Sequence, residues 1–224
     1  MLKNFRIWFY RRLALNSMTA GKTEKAEKWY RRLEKIEPGS LEVLHNLAVI
    51  YIGLKRYRES ESYLAREIEI FGESDIRLRI LGDLYYGEGN MEKAGKAYGR
   101  ALAMFQKAGG DKNTEKFLKK RIKNCGEKKL FAKAMEGARL FEEGSSRLKE
   151  GRHSEALDCF RRAAENDSSS YMALNAAGTI LLNSEKDYNS ARIYFMKALE
   201  LADIPLVKNN LAIAECRMKE GGAI

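Results

Sequence analysis

The sequence predicts an all-α solenoid of stacked helix-turn-helix repeats, and three observations carry that prediction. Ala26, Ser60 and Ala94 stand 34 residues apart, and after a gap Ala156 and Ala191 stand 35 apart. Each lies in a similar phrase: GKTEKAEKWYRRLEKIEPGS, LKRYRESESYLAREIEIFGES, GNMEKAGKAYGRALAMF, GRHSEALDCFRRAAENDSSS and KDYNSARIYFMKALELADIP. A period of this length marks paired helices that bury their apolar faces only by stacking on neighbours. Two prolines in 224 residues, 32% charged residues and the absence of strand signals complete the helical reading. No apolar run approaches the ~18 residues of a membrane span.

The opening MLKNFRIWFYRRLAL mixes basic and apolar residues, so it does not read as a cleaved signal peptide, and cytoplasm is the expected compartment. The first repeat, 7–40, places Tyr10, Leu13, Ala14 and Ser17 on one helix and Ala26, Tyr30, Leu33 and Pro38 on and after the next. The second, 41–74, has Leu44, Leu47, Ala48 and Tyr51, then Ser60 and Leu64, closing at Gly72. The third, 75–108, has Leu78, Leu81, Gly82 and Tyr85, then Ala94, Tyr98 and Ala101. Small residues such as Gly82 and Ala94 let paired helices approach, while Tyr30, Leu64 and Tyr98 fill the space between them.

Residues 109–136 interrupt the period. TEKFLKKRIKN predicts a short amphipathic helix with Phe117, Leu118 and Ile122 on one side and a basic patch of Lys116, Lys119, Lys120, Arg121 and Lys123 around the rest. After Gly126, EKKLFAKAMEGARLFEEGSSRLKEG suits one helix of about 24 residues, with positions 131, 134, 138, 141, 145 and 148 as its apolar or small side. It runs into the fourth repeat, 137–170, which keeps Gly144, Ala156, Phe160 and Ala163 but has Glu143 and Arg147 at two expected apolar positions. The fifth, 171–205, has Leu174, Ala177, Gly178, Ala191, Phe195 and Ala198, with one extra residue near Glu185-Lys186-Asp187. Residues 206–224 read as a capping helix that packs through Leu206, Leu211, Ala214 and Met218 and turns Lys208, Asn209, Glu215 and Lys219 to water. The alternative is the first helix of a sixth repeat.

These residues resemble the tetratricopeptide repeat pattern, W-x2-L-G-x2-Y in the first helix, A-x3-F in the second and a closing proline. The resemblance implies a right-handed α-α superhelix (TPR solenoid) of about five repeats plus the inserted and capping helices. It also implies a non-enzymatic protein-binding scaffold whose concave groove takes a partner peptide or helix. Carried onto this sequence, the groove presents Trp8, Arg11, Arg12, Leu15, His45, Asn46, Val49, Ile52, Arg79, Asp83 and Tyr86 from the first three repeats. Asn175, Thr179, Asn183 and Asn209 continue it in the second half. Apolar patches flanked by arginine suit a partner with acidic and hydrophobic segments. The chaperone-tail clamp of the family is matched only at Arg11 and Asn46, because Leu15, Ile76 and Ile80 stand where polar or basic groups are needed.

The net charge of +10 is unevenly placed, with 20 basic against 14 acidic residues over 1–108, nine against four over 109–136 and 12 against 13 over 137–224. Cys125, Cys159 and Cys216 are too scattered for a disulfide framework or zinc site, and His45 and His153 lack partners at ligand spacing. No catalytic constellation or phosphate loop can be assembled, so no enzyme activity, cofactor or metal is expected. Two alternatives stay open. Leu2, Phe5, Trp8 and Phe9 with Lys3, Arg6, Arg11 and Arg12 could rest on an anionic membrane surface. The basic joint could meet nucleic acid, although no recognised motif accompanies it. Self-association is also left open.

Overall fold

The computed structural model describes residues 2–221, and every regular element among them is a helix. The chain divides into two compact units, Met1–Met104 and Phe105–Ile224. The first contains α1 Leu2–Thr19, α2 Thr23–Glu34, α3 Leu41–Gly53, α4 Tyr57–Phe71, α5 Asp75–Glu88 and most of α6 Met91–Lys107. The second contains α7 Lys112–Gly126, α8 Lys128–Lys149, α9 His153–Asn166, α10 Tyr171–Ile180, α11 Tyr188–Leu199 and α12 Pro205–Gly221.

The period arises from a turn that repeats. In the first unit each leading helix of a pair ends on a residue with positive φ, Gly21 at 66°, Lys55 at 58° and Gly89 at 84°, at 34-residue intervals. The amide of the next residue then donates back across the turn, Lys22 to Ser17, Arg56 to Tyr51 and Asn90 to Tyr85, each at 2.8 Å. This closes otherwise unpaired carbonyls at the helix end. Gly151, at 77°, and the bond from Arg152 to Arg147 repeat the device in the second unit. The extra residue of the fifth repeat is absorbed by a π-helical turn, Leu181–Glu185, so that Asp187 donates one residue further back, to Leu181, with Lys186 at 55°.

Packing in the first unit alternates small and large as the sequence demands. Ala14, Ala26 and Ala48 are fully buried among Tyr30, Leu33, Leu44, Leu47 and Leu64. Ser60 is tolerated at a small-residue position because its hydroxyl donates to the carbonyl of Ala48 at 2.8 Å. A Cβ on Gly82 would come within 2.6 Å of the Tyr98 ring, so close approach requires glycine there. Polar clasps follow the same period. The Tyr51 hydroxyl donates to Glu27 at 3.0 Å, and 34 residues on Tyr85 donates to Glu61 at 2.6 Å. Burial, then the bond to the carboxylate, pushes each phenol up to about 12.

In the second unit α7 packs against α8 and is pinned by a buried polar knot. Asp167 accepts from Arg121 Nη1 and Asn124 Nδ2, both at 3.0 Å, and from the Ser169 amide at 3.0 Å. Arg121 is therefore a buried structural residue and not part of an exposed basic patch, a correction to the sequence expectation. The phase of α8 is corrected too. Its buried side runs through Phe131, Ala134, Gly137, Leu140 and Gly144, while positions 138 and 148 are exposed. The glycines set that phase, since a Cβ on Gly137 would meet the Ala163 carbonyl at 2.9 Å and one on Gly144 the Phe160 ring at 2.9 Å.

On α12 the packed side is Val207, Leu211 and Ala214, not Leu206, which is 61% exposed. Residues 222–224 of the expected capping helix lie outside the described residues.

Candidate functional site

Each leading helix carries three residues at i, i+3 and i+7, a spacing that places them on one face. The first unit has Trp8, Arg11 and Leu15 on α1, Glu42, His45 and Val49 on α3, and Ile76, Arg79 and Asp83 on α5. The second has Ala138, Phe141 and Ser145 on α8, Met172, Asn175 and Thr179 on α10, and Leu206, Asn209 and Ile213 on α12. Both series advance by 34. Arg11 Nε to Glu42 at 2.7 Å joins neighbouring members in one unit, and in the other Asn210, the residue after Asn209, donates Nδ2 to Asn175 Oδ1 at 3.3 Å.

The first unit keeps its large apolar side chains open and engages most of its charges internally. Trp8, Leu15 and Ile76 are 54%, 45% and 47% exposed. Arg11 bridges Glu42 and Glu37, so it is not the open ligand expected from the sequence. His45 Nδ1 lies 3.3 Å from Glu67 Oε1, which also accepts from Arg77 Nε at 2.9 Å. Asn46 donates its amide to the carbonyl of Glu42, one turn back on its own helix. Asp83 accepts from the Tyr98 hydroxyl at 2.6 Å. Val49 and Ile52 are half-buried against the core, as is Arg79 within its own stripe. Tyr86 is buried edge-on against Tyr98, so it does not face a groove. Arg12 stays exposed, 5.8 Å from the centre of the Trp8 ring.

The second unit has a more neutral stripe. Thr179 donates to the Asn175 carbonyl at 2.8 Å, and Asn209 is exposed. Asn183 lies in the π-helical turn, off the helical phase of α10 that places Asn175 and Thr179 together. Met172, Leu206 and Ile213, exposed by 49%, 61% and 41%, belong to the stripe and were missed among the candidate residues. Their signal was available: 138, 172 and 206 repeat 8, 42 and 76 after the interruption.

Of the basic patch, Lys116, Lys119 and Lys123 are exposed, and Lys120 donates to the Ser168 carbonyl at 3.0 Å. Arg161 of α9 and Lys197 of α11 join Lys116 and Lys120 around one cleft, a grouping that linear sequence could not show. Among the cysteines only Cys216 is exposed, and burial pushes the Cys125 thiol up to about 11.

Two sequence profiles, each described as tetratricopeptide repeat, match the chain, one over residues 141–203 and the other over 41–71 and 80–107. Together they span more than half of it, and the chain belongs to the tetratricopeptide repeat family. Protein NPGR2 of Arabidopsis thaliana is 36% identical over 91 residues, which is 40% of this chain and 12% of that protein's length. A tetratricopeptide repeat protein from Parabacteroides merdae superposes with a TM-score of 0.49 at 17% identity, covering 93% of this chain and 71% of that one. The TPR domain of P58(IPK) superposes at 0.48 with 15% identity, covering 100% and 68%. Proteins of this family are generally non-enzymatic scaffolds that bind protein partners, and this chain has that general architecture. No described helix is long and apolar enough to cross a membrane.

Proposed function

We propose that the chain is a scaffold that holds partner segments along the stripes of its leading helices. The observation that supports this is the set of large apolar side chains left open on those stripes, Trp8, Leu15 and Ile76 in one unit and Met172, Leu206 and Ile213 in the other. Open apolar residues set among polar ones are the usual make-up of a recognition surface. The first unit suits a segment with a bulky apolar anchor and a carboxylate for Arg12. The second suits an apolar segment whose backbone can bond the amides of Asn175 and Asn209.

Selection of peptides from a random display library on the whole chain, followed by calorimetry, tests the reading. Changing Trp8 and Ile76 to Ala, or Met172 and Ile213 to Ser, is expected to weaken selected peptides by roughly tenfold or more. Peptides that bind all these variants unchanged would remove the stripes from the account.

A second reading is supported by α1 alone. Leu2, Phe5 and Phe9 are 81%, 60% and 41% exposed beside Trp8, and α1 carries no acidic residue. Such a face suits the interface of an anionic bilayer. Flotation with phosphatidylserine vesicles at low salt tests it, since a chain that stays with the soluble fraction does not dock there.

A further inference from the structure

We propose that the cleft between α7, α9 and α11 is a second docking site, taking an acidic protein segment that carries one bulky apolar side chain. It is built from the inserted helix α7 and the trailing helices α9 and α11 with Leu174 of α10 beneath, and it includes none of the stripe residues. Lys116, Lys120, Arg161 and Lys197 surround a cavity of about 280 Å³ over Leu174 and Tyr194. Lys116 and Lys120 also border a neighbouring depression of about 390 Å³, edged by Lys112, Lys119 and Lys123.

What distinguishes this cleft is that cations from three helices gather around one cavity. Lys116 pairs with Glu200, and Lys119 with Glu115. Lys112, Lys123, Arg161 and Lys197 have no carboxylate within ion-pair distance among the described residues. A site with surplus cations attracts carboxylates.

Two features favour a peptide over nucleic acid. Glu115, Glu165 and Glu200 stand among the cations and break the continuous positive track that a phosphate backbone follows. Tyr194 and Leu174 give the floor an apolar character that carboxylates alone leave unfilled. Carboxylates at the rim and one aromatic or branched side chain on the floor satisfy both parts.

Fluorescence anisotropy of the full chain tests the site with three labelled probes: a glutamate-rich peptide centred on one phenylalanine, the same peptide with serine instead, and single-stranded DNA of equal charge. The phenylalanine peptide is expected to bind most tightly, and R161E with K197E to weaken it by about tenfold or more. The neutral pair R161Q and K197Q should weaken it less, and K149E, outside the cleft, should leave it unchanged. M172S with I213S should also leave it unchanged, which separates this site from the stripes. Circular dichroism and melting confirm that each variant folds. Equal binding by the charge-reversed pair, indifference to the phenylalanine, or tighter binding of DNA would each overturn the proposal.

Discussion

The two units place their polar links differently. In the first, a set of arginines ties neighbouring helices together through glutamates. Arg56 reaches Glu27 beneath the Tyr51 clasp, Arg66 reaches Glu34 beside Tyr63, and Arg77 reaches the buried Glu67. In the second, glycine-mediated contacts and the Arg121–Asp167 knot hold the helices, and Lys116, Lys120, Arg161 and Lys197 gather around one cleft. Net charge along a sequence therefore does not locate a charged ligand. What matters is where the fold brings cations from separate helices together.

The sharpest way to break this comparison is at the two buried carboxylates. Asp167→Ala breaks the buried ion pair with Arg121 and removes an acceptor used by Asn124 and Ser169, so a loss of about 3–5 kcal/mol is expected. Glu67→Ala should cost less. Its partners both use Oε1 and Oε2 has none, so fewer bonds are lost. Urea melts of the two variants check the order, and a larger loss at Glu67 would reverse the picture of where each unit stores its polar stability.

Steric tests come next. Gly82→Ala pushes a methyl against Tyr98 in the first unit, and Gly178→Ala does so against Phe195 in the second, where a Cβ would lie 2.7 Å from the ring. Each should cost roughly 1–3 kcal/mol in a urea melt. Similar losses would show that the small-residue packing is shared even though the placement of polar links is not.

Acid should act on the carboxylate caps of the second unit. Asp111 and Asp187 cap α7 and α11 in the second unit, and hydrogen bonds from Thr114 and Ser190 hold their carboxyls below the usual range. A depressed folded value gives stability that is present above the unfolded value of ~3.9 and lost as pH falls through the folded one. The side-chain caps seen in the first unit, Ser74 and Asn90, are neutral. Hydrogen exchange is therefore expected to rise at the starts of α7 and α11 below pH ~4. Asp187→Asn should abolish that response at α11, while Asp187→Ala should cost about 0.5–2 kcal/mol at neutral pH.

The smallest effects belong to the turns. Lys55 and Lys186 occupy the left-handed region that Gly21, Gly89 and Gly151 fill elsewhere. Lys55→Gly and Lys186→Gly should each stabilise by up to about 1 kcal/mol in thermal melts.

Much of the fold was legible because one small residue per period, Ala26, Ser60, Ala94, Ala156 and Ala191, fixes where helices touch. The phase of α8 was less legible, since the residues that decide it, Gly137 and Gly144, have no hydrophobicity to mark them. The same limit applies to the site. Arg11 and Asn46 looked like open ligands until their partners were known, and Arg121 looked like a surface lysine's neighbour until Asp167, far along the chain, was placed beside it. Hydrophobic stripe members were missed for a simpler reason: Leu206 reads as core on apolarity alone.

The central claim, that partner segments lie along the leading helices, is tested most directly by hydrogen exchange of the full chain with and without a library-selected peptide that the R161E and K197E pair binds unchanged. Protection is predicted on α1, α3 and α5, or on α8, α10 and α12, with the trailing helices α2, α4, α9 and α11 unchanged. Protection confined to those trailing helices would contradict it.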